Sequence, residues 1–153
     1  MKTKLKFIIP ALISIVLIVF AVWYISGWKS PSDIVSIKVS SEAPYFQVHY
    51  EYFIDFSENT LTYNDLKDDL KKITTFSDEN KENFVHQASM YGFFNWKKSY
   101  LKNVSMNDST MKDICITYSD GTEQEICFQQ PNVPLTYEIM REVFNETFGY
   151  YII

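Results

Sequence analysis

Two kinds of hydrophobic pattern divide this chain. From Phe7 to Ile25 it reads FIIPALISIVLIVFAVWYI, an apolar run without a charge. Beyond Lys29, apolar residues alternate with polar ones or recur at helical spacing, as they do in a folded domain with one buried side. As a helix, the first run would extend about 29 Å, close to the hydrocarbon thickness of a bilayer. Lys2, Lys4 and Lys6 precede it with no acidic residue among them. Basic residues next to a first span stay in the cytoplasm. The expectation is therefore a basic cytoplasmic tail (1–6), a single-pass transmembrane helix (7–25), a linker (26–32) and an extracytoplasmic domain (33–153). Bulky Val22, Trp23, Tyr24 and Ile25 follow Ala21, so no small-residue cleavage site ends the run, and an uncleaved signal-anchor is expected.

In the domain, DIVSIKVSS alternates loosely and predicts a first strand. The segment from Tyr45 to Phe56 is clearer: Phe46, Val48, Tyr50, Tyr52, Ile54 and Phe56 fill every even position. A period of two means a strand with one buried face. Leu61 and Tyr63 continue it after a turn. A two-residue Glu58-Asn59 turn would set Leu61 opposite Phe56 and Tyr63 opposite Ile54, keeping both on the apolar face. Leu66, Leu70 and Ile73 have helical spacing, whereas Ile73-Thr74-Thr75-Phe76 favours a strand, so that stretch stays ambiguous. Ser77 suits a helix N-cap ahead of Asp78 and Glu79. Phe84, Val85, Ala88 and Tyr91 form the stripe of that helix, and Gly92 is placed to end it.

A second hairpin centres on Asp120-Gly121. Ile114, Ile116, Tyr118, Ile126 and Phe128 are all even-numbered. A three-residue Ser119-Asp120-Gly121 loop keeps evens opposite evens, with Gly121 left-handed, and pairs Cys115 with Glu125 and Cys127 with Asp113. Leu135 to Phe148 predicts a last helix with Met140, Val143, Phe144 and Phe148 inward, stopped by Gly149. Tyr150 to Ile153 is expected to tuck against the domain. The sum is an α+β fold: one N-terminal transmembrane helix followed by antiparallel β-hairpins packed against two or three amphipathic helices.

Charge narrows the partners. Without the three N-terminal lysines, 11 of the 14 Lys+Arg remain against 19 Asp+Glu, so the part after the apolar run carries −8. Such a domain is a poor ligand for nucleic acid. Aromatic residues make up 17% of the chain, which argues for a core rather than a disordered tail.

Candidate chemistry is sparse. Phe93, Phe94, Trp96 and Tyr100, with Lys97, Lys98 and Lys102 around them, form an aromatic patch inside a basic island. That is the composition of many binding surfaces, and Trp96 and Tyr100 would align on one further helical turn. The same rings could instead close the core. Cys115 and Cys127 are the only cysteines and would lie diagonally on the outer face, as a disulfide or as two free thiols. His49 and His86 are the only histidines, and no ligand spacing points to a metal. The acidic stretch from Asp65 to Glu82 lacks a calcium-loop pattern. Asn103, Asn107 and Asn145 open glycosylation sequons. No nucleophile or phosphate-binding motif is present, and no cofactor is expected.

The Y-x-Y-x-I-x-F strand (Tyr50 to Phe56), the Ser-Asp-Glu helix start at Ser77, Trp96-x-x-x-Tyr100, the Asp-Gly hairpin and the proline before a last helix resemble small uncharacterised extracytoplasmic domains of Gram-positive bacteria. Many of those are lipoproteins. This chain lacks the lipid-bearing cysteine, so the resemblance implies a helical anchor here and carries over no function. The expected role is a membrane-tethered binding or accessory domain. Its partners would be the lipid bilayer through the N-terminal helix and an envelope protein or cell-wall component. The alternative is an envelope enzyme acting on glycan or peptide through carboxylates.

Overall fold

The computed structural model describes residues 33–43, 48–101 and 110–153. Chain contacts divide the protein into Met1–Ser30 and Pro31–Ile153. The strands of the second unit are β1 (Ile34–Ala43), β2 (Val48–Asp55), β3 (Thr60–Asp65), β4 (Leu70–Thr75), β5 (Met111–Tyr118) and β6 (Glu123–Gln129). Helix α1 (Asp78–Met90) and a 3₁₀ turn (Phe93–Asn95) come after β4, and helix α2 (Tyr137–Phe148) comes after β6.

The expected fold class is corrected in two respects. The strands do not form separate hairpins. They make one six-stranded antiparallel sheet in the order β4-β3-β2-β1-β5-β6, because β1 pairs with β2 on one side and with β5 on the other. Among the described residues, no helix is long and apolar enough to cross a membrane. The expected span, 7–25, lies outside the described residues, so the transmembrane helix has no support in this structure. Two α-helices and one 3₁₀ turn are described.

Alternation dictates which face is buried. Ile54, Ile37 and Ile116 stand in one row across β2, β1 and β5, and Tyr52, Val39 and Ile114 in the next, all of them in the core. The loose alternation of β1 has a cause: the register with β5 shifts between Ile34 and Ser36, so an even residue, Ile34, and the odd Ile37 and Val39 are all buried. The helices lie on that face. Phe84 of α1 and Phe144 of α2 have ring centroids 4.9 Å apart, and Phe84 stacks 5.8 Å from Phe56. Ser77 accepts the Asn80 N–H at 3.1 Å and caps α1 as expected. Met140, Val143, Phe144 and Phe148 are inward in α2, which ends at a left-handed Gly149. Ile152 and Ile153 are buried.

The Asp120-Gly121 hairpin has the expected register, with Cys115 opposite Glu125 and Asp113 opposite Cys127. Gly121 is left-handed, at φ 78°. The first hairpin is slipped by two residues from expectation. Leu61 faces Ile54 and Tyr63 faces Tyr52, across a four-residue loop of 56–59. Parity is preserved, so both still join the apolar face. The Asp55 carboxylate accepts the N–H groups of Ser57 and Glu58 and holds that loop, and Asn59 closes it at φ 52°. The same device recurs between β3 and β4, where Asp65 accepts from Lys67 and Asp68 and Asp69 is at φ 49°. The ambiguous stretch is thereby a strand, β4.

One core position breaks the pattern. Lys112 belongs to the even-numbered inward row of β5 and is 5% exposed. Its Nζ donates to the Ile152 carbonyl at 3.3 Å and sits 5.8 Å from the Tyr50 ring. Burial brings the ammonium down to about 8, and Arg141 on α2 pushes in the same direction. The unfolded chain, with the ordinary lysine value near 10.5, then binds the proton more tightly, so folding is penalised in full below pH 8 and the penalty fades as pH rises to about 10.5. Lys112→Met is expected to stabilise the fold at pH 7 by up to about 3 kcal/mol, with the gain vanishing above pH 10.5. Denaturant unfolding of both proteins across that range checks it.

Candidate functional site

Among the described residues, the helices cover one face of the sheet and leave the other to solvent. On the uncovered face, strand register sets two adjacent rows. One runs Thr62, Phe53, Lys38, Cys115, Glu125 across β3, β2, β1, β5 and β6; the other runs Asn64, Glu51, Ser40, Asp113, Cys127. At the β6 end the sheet is extended by the chain after the 3₁₀ turn. Ser99 forms a parallel bridge with Cys127, the Tyr100 N–H donates to the Cys127 carbonyl, and the Cys127 N–H donates to the Lys98 carbonyl, both at 2.9 Å. This brings Lys98 over β6.

The result is a groove of about 350 Å³ lined by Lys38, Ser40 and Lys98 with Asp113, Cys115, Glu125 and Cys127. Opposite charges meet along it. Lys38 Nζ lies 2.7 Å from Glu51 Oε1, and Lys98 Nζ lies 2.9 Å from Glu125 Oε2. The Lys38 hydrogen bond holds the Glu51 carboxyl below its ordinary range, with Ser40 adding a second donor. The Lys98–Glu125 pair is largely solvated and contributes little to stability, whereas Glu51 is half-buried beside Lys38 and Ser40.

Both thiols are free. Burial pushes the Cys127 thiol up to about 12, helped by its hydrogen bond to Asp113. Burial also raises Cys115, with Glu123 and Glu125 adding to the effect. Nucleophilic and redox chemistry needs thiolate, and this setting withholds it.

The aromatic patch is largely core. Phe93 is fully buried and Trp96 is 7% exposed, its Nε1–H donating to Thr136 Oγ1 at 3.0 Å. Phe94 and Tyr100 are half-buried against the same core. The chain turns at left-handed Gly92 and is extended at Trp96, so no further helical turn aligns Trp96 with Tyr100. Instead the Tyr100 hydroxyl accepts the Lys97 N–H at 2.9 Å. Lys97 and Lys98 are exposed, and Lys98 alone of the expected set reaches the groove. Lys102, Asn103 and Asn107 lie outside the described residues, and Asn145 sits within α2. His49 approaches Glu42 at 3.6 Å, His86 lies in α1, and among the described residues no group of side chains is placed to hold a metal. Lys38, Ser40, Asp113 and Glu125 were not singled out by the sequence. Only the polar half of each strand's alternation marked them.

A second hollow, of about 440 Å³, lies between β4 and the facing ends of the helices. In it, Asn80 Nδ2 donates to the Thr147 carbonyl, and Ser77 caps α1.

No model of a known protein family matches the chain, and no curated protein matches it.

Trp96→Ala is expected to cost about 3–5 kcal/mol, since it empties a core position, whereas Lys98→Ala should change stability by under about 0.5 kcal/mol. Chemical denaturation separates the two variants. Alkylation of Cys127 in the native protein at pH 8 is expected to be at least about tenfold slower than that of a free thiol, and Asp113→Asn should speed it by removing the charge that opposes thiolate. Mass-resolved iodoacetamide labelling checks this.

Proposed function

We propose that this chain is an extracytoplasmic binding domain of the cell envelope and that its partner is another protein, docked on the uncovered face of the sheet. The observation that carries this is the groove of Lys38, Lys98, Asp113 and Glu125, a preformed hollow along which lysine and carboxylate side chains meet at the surface. Charged pairs of this kind steer a partner and fix its orientation more than they hold the fold. Phe53, 39% exposed beside Lys38 in the same row, supplies an apolar contact next to them. The location rests on the sequence, where Lys2, Lys4 and Lys6 precede the uncharged residues 7–25. A carboxylate-based enzyme is less well supported. Acid–base hydrolysis needs one carboxyl held above its ordinary range, and Glu51 moves down.

The test is crosslinking of the full chain in native membranes followed by purification, beside a Lys38→Glu, Lys98→Glu double variant of matched thermal stability. One stoichiometric protein partner is expected with the parent, and recovery should fall at least about tenfold with the double variant. Equal recovery from both, or no enriched protein, contradicts the proposal.

A further inference from the structure

The two edges of the sheet are treated differently. Beyond β6, the Ser99 bridge and the return of the chain at Asn132 occupy the edge. Beyond β4 no described element pairs. All six residues of β4 are exposed, Leu70 at 44% and Ile73 at 61%, so neither helix overlies it. The Phe76 N–H donates to the Asn59 carbonyl at 3.0 Å. Even-numbered residues therefore direct their backbone groups to β3, and Lys71, Ile73 and Thr75 turn N–H and C=O outward.

From Leu70 to Phe76 the sequence is L-K-K-I-T-T-F, which is complementary to itself when reversed about Ile73. Ile73 meets Ile73, each lysine meets a threonine (Lys72 with Thr74, Lys71 with Thr75), and Leu70 meets Phe76. No like charges are directly opposed. Moving the centre to Lys72 would set that lysine against itself, and moving it to Thr74 would lose the contact of Leu70 with Phe76. Lysines on an edge strand deter indiscriminate pairing. Here they also select one register.

We infer that β4 pairs with β4 of a second copy, antiparallel and centred on Ile73, joining two sheets across a two-fold axis. The outward N–H and C=O groups of Lys71, Ile73 and Thr75 are satisfied by their counterparts, as in strand addition to a free edge. On the uncovered face, the rows of Phe53, Thr62 and Ile73 from the two copies become continuous. This pairing is independent of any partner docked in the groove of Lys38 and Lys98.

The test measures the mass of the purified full chain in detergent by light scattering over a dilution series. The parent is expected at two chains. Ile73→Pro removes only an N–H that points outward, which an edge strand tolerates. It is expected at one chain, with unchanged circular dichroism. In a Cys115→Ser, Cys127→Ser background, a mixture of Lys72→Cys and Thr74→Cys proteins is expected to form a disulfide-linked dimer that neither forms alone; this decides the matter should Ile73→Pro fail to fold. A parent of single-chain mass at every concentration overturns the inference, because the edge then serves a different partner or none. A dimer that a folded Ile73→Pro retains, or one without the mixed crosslink, also overturns it.

Discussion

The ring of Phe84 is the contact on which the arrangement depends. It projects from α1 and lies 5.8 Å from Phe56 at the end of β2, 4.9 Å from Phe144 and 5.2 Å from Phe148 on α2, and 6.4 Å from Phe93 in the 3₁₀ turn. One side chain thus joins the sheet, both helices and the turn between α1 and β5. Stacked, tilted and edge ring contacts of this kind add to the burial of each ring. Because both helices are gathered at Phe84, both lie on the same face of the sheet. Among the described residues the other face is left open by the same constraint, and apart from Phe53 its rows carry polar and charged side chains and the two thiols.

That asymmetry organises the chemistry. On the buried side, a charged group titrates abnormally, as Lys112 does. On the open side, Lys38 pairs with Glu51 and Lys98 with Glu125, the second pair largely in water. The thiols fall between these extremes. They are half-buried beside Asp113 and Glu125, where their protons are held tightly, and they serve as small side chains in a groove wall. Trp96, the residue that composition alone would favour for binding, is taken up by the core through Phe93, with ring centroids 4.9 Å apart.

Local pattern made much of this legible. The parity of Ile114, Ile116, Ile126 and Phe128 specified a three-residue loop and hence the pairing of Cys115 with Glu125. Ser77, Gly92 and Gly149 marked helix ends through capping chemistry. The first hairpin escaped by two residues because two-residue and four-residue loops share the same parity. The deciding signal was Asp55, whose carboxylate holds the longer loop, and Asp65 repeats it. Other features depend on contacts distant in sequence. Nothing in the alternation of β1 says that it lies between β2 and β5, so one sheet could not be told from two hairpins. The extended chain at Trp96 comes after Gly92 adopts a left-handed conformation, which a spacing of four between Trp96 and Tyr100 does not reveal. A lysine in an apolar row reads as a surface residue until the segment after the last helix is seen to meet it, through the Ile152 carbonyl.

Amine labelling of intact cells against the purified full chain addresses the central claim that the open face is covered by a partner in place. Lys38 and Lys98 are expected to be modified readily in the purified protein and protected on cells, while buried Lys112 stays unmodified in both. Equal modification of Lys38 and Lys98 in the two settings would contradict that claim, because the face would then be open to solvent where the protein resides.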